Sequence, residues 1–267
     1  MGYVITTANS KGGVGKTTVT RLIAETLVRK GKTVCIIDMC QNSSIATGFL
    51  SDREQFNKTT YEWLIGEAKP SEVIHQHSEF LHFIPSNEKI DDFKVFANKM
   101  TVKKRLYSVD RKVNTLRNFY DYILIDTHPS ENDDLVAYSF VASDYVLVPF
   151  EVDEDSRVAV HRTVEIINDF MQEDIKGYFL IPNKVNTTNQ KINHQLETMI
   201  DSFVNKGVKR ANILSRIRYS TTVSTAKNEK ISLEKLAQKN TYAKNVVNDF
   251  VELTDKLISA IEGSAVK

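Results

Sequence analysis

Residues 9–18 read Asn9-Ser10-Lys11-Gly12-Gly13-Val14-Gly15-Lys16-Thr17-Thr18, which puts three glycines, two lysines and two adjacent threonines into one short stretch. That mixture suits phosphate chemistry. In a loop of the form G-x-x-x-x-G-K-[S/T], backbone N–H groups wrap phosphate oxygens, the lysine reaches the β and γ positions, and the hydroxyl binds Mg2+. Gly15-Lys16-Thr17 fits, whereas Ser10 stands where the first glycine is expected and Lys11 supplies a second cation. Two carboxylates extend the set. Asp38 closes the apolar run Val34-Cys35-Ile36-Ile37, and Asp126 closes Tyr122-Ile123-Leu124-Ile125. An apolar run ending in aspartate has the form of a Walker B strand, so Asp126 is expected to orient a Mg2+ shell and Asp38 to hold an ion-bound water.

Such a loop has to be held between a strand and a helix. Residues 3–8 are apolar and β-branched, and residues 19–30 have helical spacing, so strand, loop and helix follow in the order the motif demands. The helix N-terminus adds its positive end to the anion site. Further strands are expected at 33–38, 81–85, 122–126, 144–149, 177–183 and near 211–214, with helices between them. This alternation predicts an α/β fold with a mostly parallel twisted sheet flanked by helices on both faces. Open sheets of that kind bind ligands at the carboxyl ends of their strands, where both aspartates fall. With no internal repeat or low-complexity linker, a single domain over residues 1–267 is expected.

The chain is 41% apolar and 26% charged, ordinary for a globular protein. The first strand lies at the start of the sequence, so no signal peptide is expected, and no apolar run approaches the roughly 20 residues of a membrane span. Cys35 and Cys40 share one strand-to-loop segment, which points to a reduced, cytoplasmic setting and makes a poor iron–sulfur site. Net charge is +1, but it is segregated: residues 206–244 carry ten bases against two acids, and residues 121–174 carry fourteen acids against two bases. A basic C-terminal third on a near-neutral chain is the footprint of a phosphate-backbone binder, with salt-sensitive, sequence-independent DNA binding as the expectation. Residues 94–117 form another basic stretch, with eight bases and Asp110 as the single acid.

With both lysines, KGGVGKTT resembles the deviant Walker A loop of the ParA/MinD superfamily of dimerising ATPases. The likeness runs from about residue 3 to the C-terminal helix. It implies a P-loop NTPase fold, ATP and Mg2+ as cofactors, nucleotide contacts from Lys11, Gly12, Gly13, Val14, Gly15, Lys16, Thr17 and Thr18, and metal contacts from Thr17, Asp38 and Asp126. Lys11 matches the residue that reaches across the dimer to the other subunit's nucleotide, as an arginine finger does in other NTPases. Asp126-Thr127-His128-Pro129-Ser130 resembles the family's aspartate-x-Pro-Pro-Ser segment, with His128 replacing a proline, and Asn183 matches the asparagine that contacts adenine. Ile213-Leu214-Ser215-Arg216-Ile217-Arg218-Tyr219-Ser220 is similar to the Pro-Arg-x-Val-Arg-x-Ser segment, with the proline missing and the first arginine appearing as Ser215. Arg218 thereby matches a nonspecific DNA contact, with Lys209, Arg210, Arg216 and Lys227 as neighbours.

One departure bears on chemistry. Partition members carry Asp-x-Asp-Pro-Gln after the second strand, and the second aspartate, which helps position the attacking water, falls on Cys40 in Asp38-Met39-Cys40-Gln41-Asn42. A neutral thiol is a feeble acceptor, so slow hydrolysis is expected, or water positioning by another group such as Gln41. The resemblance implies a short ParA/Soj-type partition ATPase: an ATP-bound homodimer on nonspecific nucleoid DNA, released by a centromere-binding ParB-type adaptor. Eight residues precede the loop, too few for a helix-turn-helix module. The alternatives are a MinD-like membrane-cycling ATPase and a slowly hydrolysing regulatory or assembly protein. Against the first, the last helix, expected at 245–262, sets Asp249, Glu252, Asp255 and Glu262 against Lys256, and an anionic membrane would repel it.

Overall fold

In the computed structural model, which describes residues 1–49, 56–129, 134–171 and 175–263, seven strands form one sheet. They are β1 (Tyr3–Thr7), β2 (Val34–Met39), β3 (His75–Ser78), β4 (Leu81–Ile84), β5 (Tyr122–Thr127), β6 (Tyr145–Phe150) and β7 (Gly177–Pro182). Their spatial order is β3-β4-β2-β5-β1-β6-β7. All pairings are parallel except β3 with β4. Every residue of β2, β5 and β6 is buried, which is why these strands are continuous apolar runs rather than alternating ones. Alternation survives as a division of labour: Val34 and Ile36 pack on one face of the sheet, Cys35 and Ile37 on the other.

Five helices of eight residues or more cover the described sheet: α1 (Lys16–Arg29), α2 (Asp134–Val141), α3 (Glu154–Phe170), α4 (Gln190–Asn205) and α5 (Thr241–Glu262). On one face, Val19, Leu22, Ile23 and Leu27 of α1 join Val246, Phe250, Leu253, Leu257 and Ile261 of α5 against the strands. The opposite face carries α2 and short helical turns that bring Trp63, Phe93, Val109 and Val113 inward. Helices α3 and α4 enclose the β6–β7 side through Val160, Val164, Ile167, Leu196 and Phe203.

Three expectations about elements change. Near residues 211–214 there is a 3-10 turn, Arg210–Asn212, followed by isolated bridges from Ile213 to Leu180 and from Arg218 to Val185. The chain therefore runs along the edge of β7 without a continuous ladder, because the turn occupies residues that a strand would need. The edge strand β3 was not expected, since His75-Gln76-His77-Ser78 is mostly exposed and has no apolar signature. Helix α5 begins at Thr241 rather than 245, because the Asn240 side chain accepts hydrogen bonds from the N–H groups of Tyr242 and Ala243.

The acids of α5 face partners within the fold. Asp255 pairs with Lys30 at 2.6 Å, Glu262 with Lys32 at 3.1 Å, and Glu252 with Lys256 at 2.9 Å. The buried stripe packs α5 against α1, and the Asp255 and Glu262 pairs tie it to the residues that follow α1, whereas Glu252–Lys256 lies within α5 itself. No helix among the described residues is long and apolar enough to cross a membrane.

Candidate nucleotide and metal site

The phosphate loop leaves β1 and turns into α1 through two left-handed glycines, Gly13 at φ 81° and Gly15 at φ 91°. Gly15 is required twice over, because a Cβ there would also lie 2.5 Å from Nδ2 of Asn183. Asn183, just past β7, donates through Nδ2 to the carbonyl of Val14 at 2.8 Å and so braces the loop from two strands away in the sheet. At the loop's other end, Asn9 donates to the carbonyl of Pro149 at 2.8 Å and accepts from the N–H of Lys11 at 2.8 Å. Gly12 and Gly13 are exposed, Val14 is buried, and Thr18 is half-buried on the first turn of α1.

Lys16 curls under this loop. Its Nζ donates to the carbonyls of Asn9 and Lys11 at 3.0 and 3.1 Å. Burial lowers its pKa to about 8, outweighing the stabilising charge of Asp126. An ammonium held among carbonyl oxygens at a helix N-terminus fits phosphate oxygens.

The sheet register explains the carboxylate pair. Asp38 and Asp126 stand directly opposite each other on β2 and β5, and Thr7 of β1 stands opposite Asp126. Both aspartates are fully buried. Burial first, and then the neighbouring Asp126 charge, push the Asp38 carboxyl upward; burial also raises Asp126, against the opposing pull of Thr17 and Lys16. Thr17 donates its hydroxyl to Oδ2 of Asp126 at 2.6 Å, while Oδ1 is buried without a hydrogen-bond partner. Asp38 accepts from the N–H groups of Cys40 and Ile45, at 2.8 and 3.0 Å, and thus shapes the loop that follows β2. A hydroxyl and two carboxylates, one of them with an orphaned buried oxygen, form a donor set that fits a divalent cation.

Cys40 enters the same cluster. Its thiol is directed at the backbone carbonyl and Oδ2 of Asp126, both at 3.8 Å. Burial first, then both aspartates, push its pKa far up, so the sulfur is a protonated thiol. Gln41, the other expected water-positioning group, is exposed.

Lys11 is directed away from the loop it belongs to. Its Nζ pairs with Asp153 at 2.6 Å and donates to the Ser156 hydroxyl at 3.1 Å. Asp153 caps α3 by accepting from the Ser156 N–H at 2.8 Å. Burial raises the Asp153 carboxyl, but Lys11 and that N–H outweigh it and hold the group below the usual range. The sequence reading missed Asp153 and Ser156; the signal was a helix cap hidden inside the acidic run Glu151 to Asp155.

The basic residues are distributed over the C-terminal third and differ in their partners. Arg218 forms a two-pronged pair with Asp249 of α5, both contacts at 2.7 Å, with Asp249 also accepting from its backbone N–H. Arg210 pairs with Glu197 and Asp201, and Arg216 donates to Asn193. Lys209 and Lys227 are exposed and form no ion pair among the described residues. Of the Asp126-to-Ser130 segment, Ser130 lies outside the described residues; Pro129 packs 3.7 Å from the position of a Gly12 Cβ.

Residues 2–181 match a family model described as an AAA domain. An uncharacterised protein of Pseudomonas putida is 33% identical over 153 residues, and the chain spans only 57% of that relative's length, as it does of its own. A ParA family protein of Mycoplasma genitalium is 26% identical over 272 residues, covering 96% of this chain and 97% of the relative. Among solved structures, cobyrinic acid a,c-diamide synthase from Mycobacterium smegmatis, with bound ADP and magnesium, superposes with a TM-score of 0.80. It is 19% identical and covers 99% of this chain and 97% of its own, a likeness of fold. Taken with a braced phosphate loop that carries a second lysine, these matches place the chain in the AAA-domain family of P-loop ATPases, as a ParA-type member.

Proposed function

We propose that the chain is a partition ATPase that dimerises with ATP, binds nonspecific duplex DNA in that state, and moves a plasmid or chromosome together with a centromere-binding ParB-type adaptor. The observation that carries this reading is the pairing of a complete loop around Lys16 with a Lys11 that serves a different contact. Lys16, Thr17 and the backbone of residues 12–17 would hold the phosphates, while Thr17, Asp38 and Asp126 would hold Mg2+. Mg2+ bound there neutralises charge on the phosphate oxygens. Lys11, tethered to Asp153, is the group free to change partners when a second subunit brings another nucleotide. Neutralising backbone phosphates from two subunits rather than one gives the dimer the higher DNA affinity that coupling requires. A cytoplasmic, nucleoid-associated location follows from that cycle.

The test is binding to a random-sequence duplex without nucleotide, with ADP and with Mg2+-ATP, across a salt series. Tight, salt-sensitive binding with ATP alone is the expected result. Equal binding in all three states would remove the cycle. A second reading, a slowly hydrolysing assembly module that docks a protein partner, is favoured by the protonated Cys40 thiol beside Asp126. It predicts ATP-dependent dimers with no DNA binding in any state.

A further inference from the structure

Among the described residues, Asp38, Cys40 and Asp126 bring two carboxylate oxygens and a sulfur within 4.8 Å of one another. Asp38 and Asp126 are fully buried and Cys40 is 8% exposed. The Cys40 Sγ lies 3.8 Å from Asp126 Oδ2. A tetrahedral ion with metal–sulfur and metal–oxygen bonds of about 2.3 and 2.1 Å holds those two atoms about 3.6 Å apart. The sulfur and this carboxylate oxygen are therefore set near the spacing that an ion would impose, and the Asp38 oxygen lies within 4.8 Å of both. Independently, Asp126 Oδ1 is buried and has no hydrogen-bond partner, although its sister oxygen is engaged by Thr17. A buried carboxylate oxygen left alone is costly and calls for a cation.

The donor set decides which cation. Mg2+ demands six oxygens and sheds water reluctantly, whereas thiolate selects borderline and soft ions. We propose that Asp38, Cys40 and Asp126 form a site for a thiophilic divalent cation of the Zn2+ or Cd2+ class, with Cys40 as its sulfur ligand. In binding, the Cys40 S–H bond is exchanged for a sulfur–metal bond and the proton passes to solvent, with no change of oxidation state. The ion occupies the same carboxylates that Mg2+ uses, so the two compete. The location rests on the phosphate-loop reading of this site; the ion's identity rests on Cys40 alone.

Cys35 provides an internal control. It is fully buried within β2, packed in the core with Ile37 and Met39, and lies four strand residues, about 13 Å, before the end of β2 that leads into Cys40. The experiment titrates Cd2+ into the nucleotide-free, chelator-treated full chain and follows the ultraviolet thiolate-to-metal charge-transfer band. The expected result is a saturable band at one ion per chain that persists in a roughly hundredfold excess of Mg2+. Cys35→Ser should keep the band; Cys40→Ser and Cys40→Asp should each abolish it. Cys40→Asp should also shift the preference toward Mg2+, read by competition. No band in the parent, or a band that survives Cys40→Ser or vanishes with Cys35→Ser, overturns the proposal. Mg2+-ATP affinity, measured on the same variants, separates a misfolded loop from a lost ligand. Because the readout needs neither ATP hydrolysis nor DNA, its failure is distinguishable from failure of the partition cycle.

Discussion

Lys16 carries its charge in a place that disfavours it until phosphate arrives. Burial lowers its pKa from 10.5 to about 8, and phosphate oxygens restore the preference for the ammonium form. The direction of the linkage follows. Below about pH 8 the free and bound chains both hold the Lys16 proton, and this lysine adds no pH dependence to the affinity. Above it the free lysine is partly neutral, so ATP binding takes up a proton and affinity falls as pH rises toward 10.5. Calorimetric titration of the chelator-treated chain with ATP near pH 8.5, in two buffers of different ionisation enthalpy, should show proton uptake. Identical heats in the two buffers would count against this assignment. The neighbouring Cys40 illustrates the opposite situation: its proton is retained because burial, and then two crowding carboxylates, disfavour the thiolate, so the thiol cannot stand in for an aspartate as acceptor.

Elements, rather than single residues, determine whether the loop is a site. Gly15 holds φ 91° at the start of α1, with Asn183 at the end of β7 filling the space a Cβ would need. Gly15→Ala pays a left-handed penalty of about 1–2 kcal/mol and also pushes away the brace on Val14. The expected outcome is a Tm lower by roughly 2–8 °C and a loss of ATP affinity larger than that of Asn183→Ala, checked by thermal melts and nucleotide titration. The strand–loop–helix around Lys16 was legible because glycines, lysine and hydroxyl recur at a spacing that phosphate imposes. The carboxylates of Asp38 and Asp126 were legible as strand ends. Their direct opposition was not, since it depends on β2 lying beside β5 across a long stretch of sequence. Strand β3 left no signal because its side chains are mostly exposed, and the Asn240 cap of α5 was overlooked although its residue type announced it. Asp153 was hidden by its own neighbours: one cap in an acidic run looks like solvated charge until the fold brings Lys11 against it.

At the scale of the molecule, formal charge and available charge differ. Ten bases between residues 206 and 244 look like one electropositive surface in the sequence. In the fold, Arg218 is committed to Asp249 of α5, and Arg210 to two acids of α4, whereas Lys209 and Lys227 remain exposed without ion pairs among the described residues. The Arg218–Asp249 pair joins the edge of β7 to α5 with its carboxylate nearly buried and its guanidinium one-third exposed. Removing the arginine strands that carboxylate at a cost of about 1–3 kcal/mol, less than for a fully buried pair because water reaches one partner. Under the proposed DNA cycle the two groups of residues therefore separate. Lys209→Ala and Lys227→Ala should each reduce the log–log salt slope of duplex binding by about 0.9 with Tm unchanged. Arg218→Ala should lower Tm by several degrees. Any loss of DNA binding by that variant should be matched by Asp249→Ala, which breaks the same strut but adds positive charge. If Asp249→Ala instead tightens DNA binding while Arg218→Ala weakens it, Arg218 contacts phosphate directly, and the pair is a reversible store of a DNA-binding cation rather than a strut.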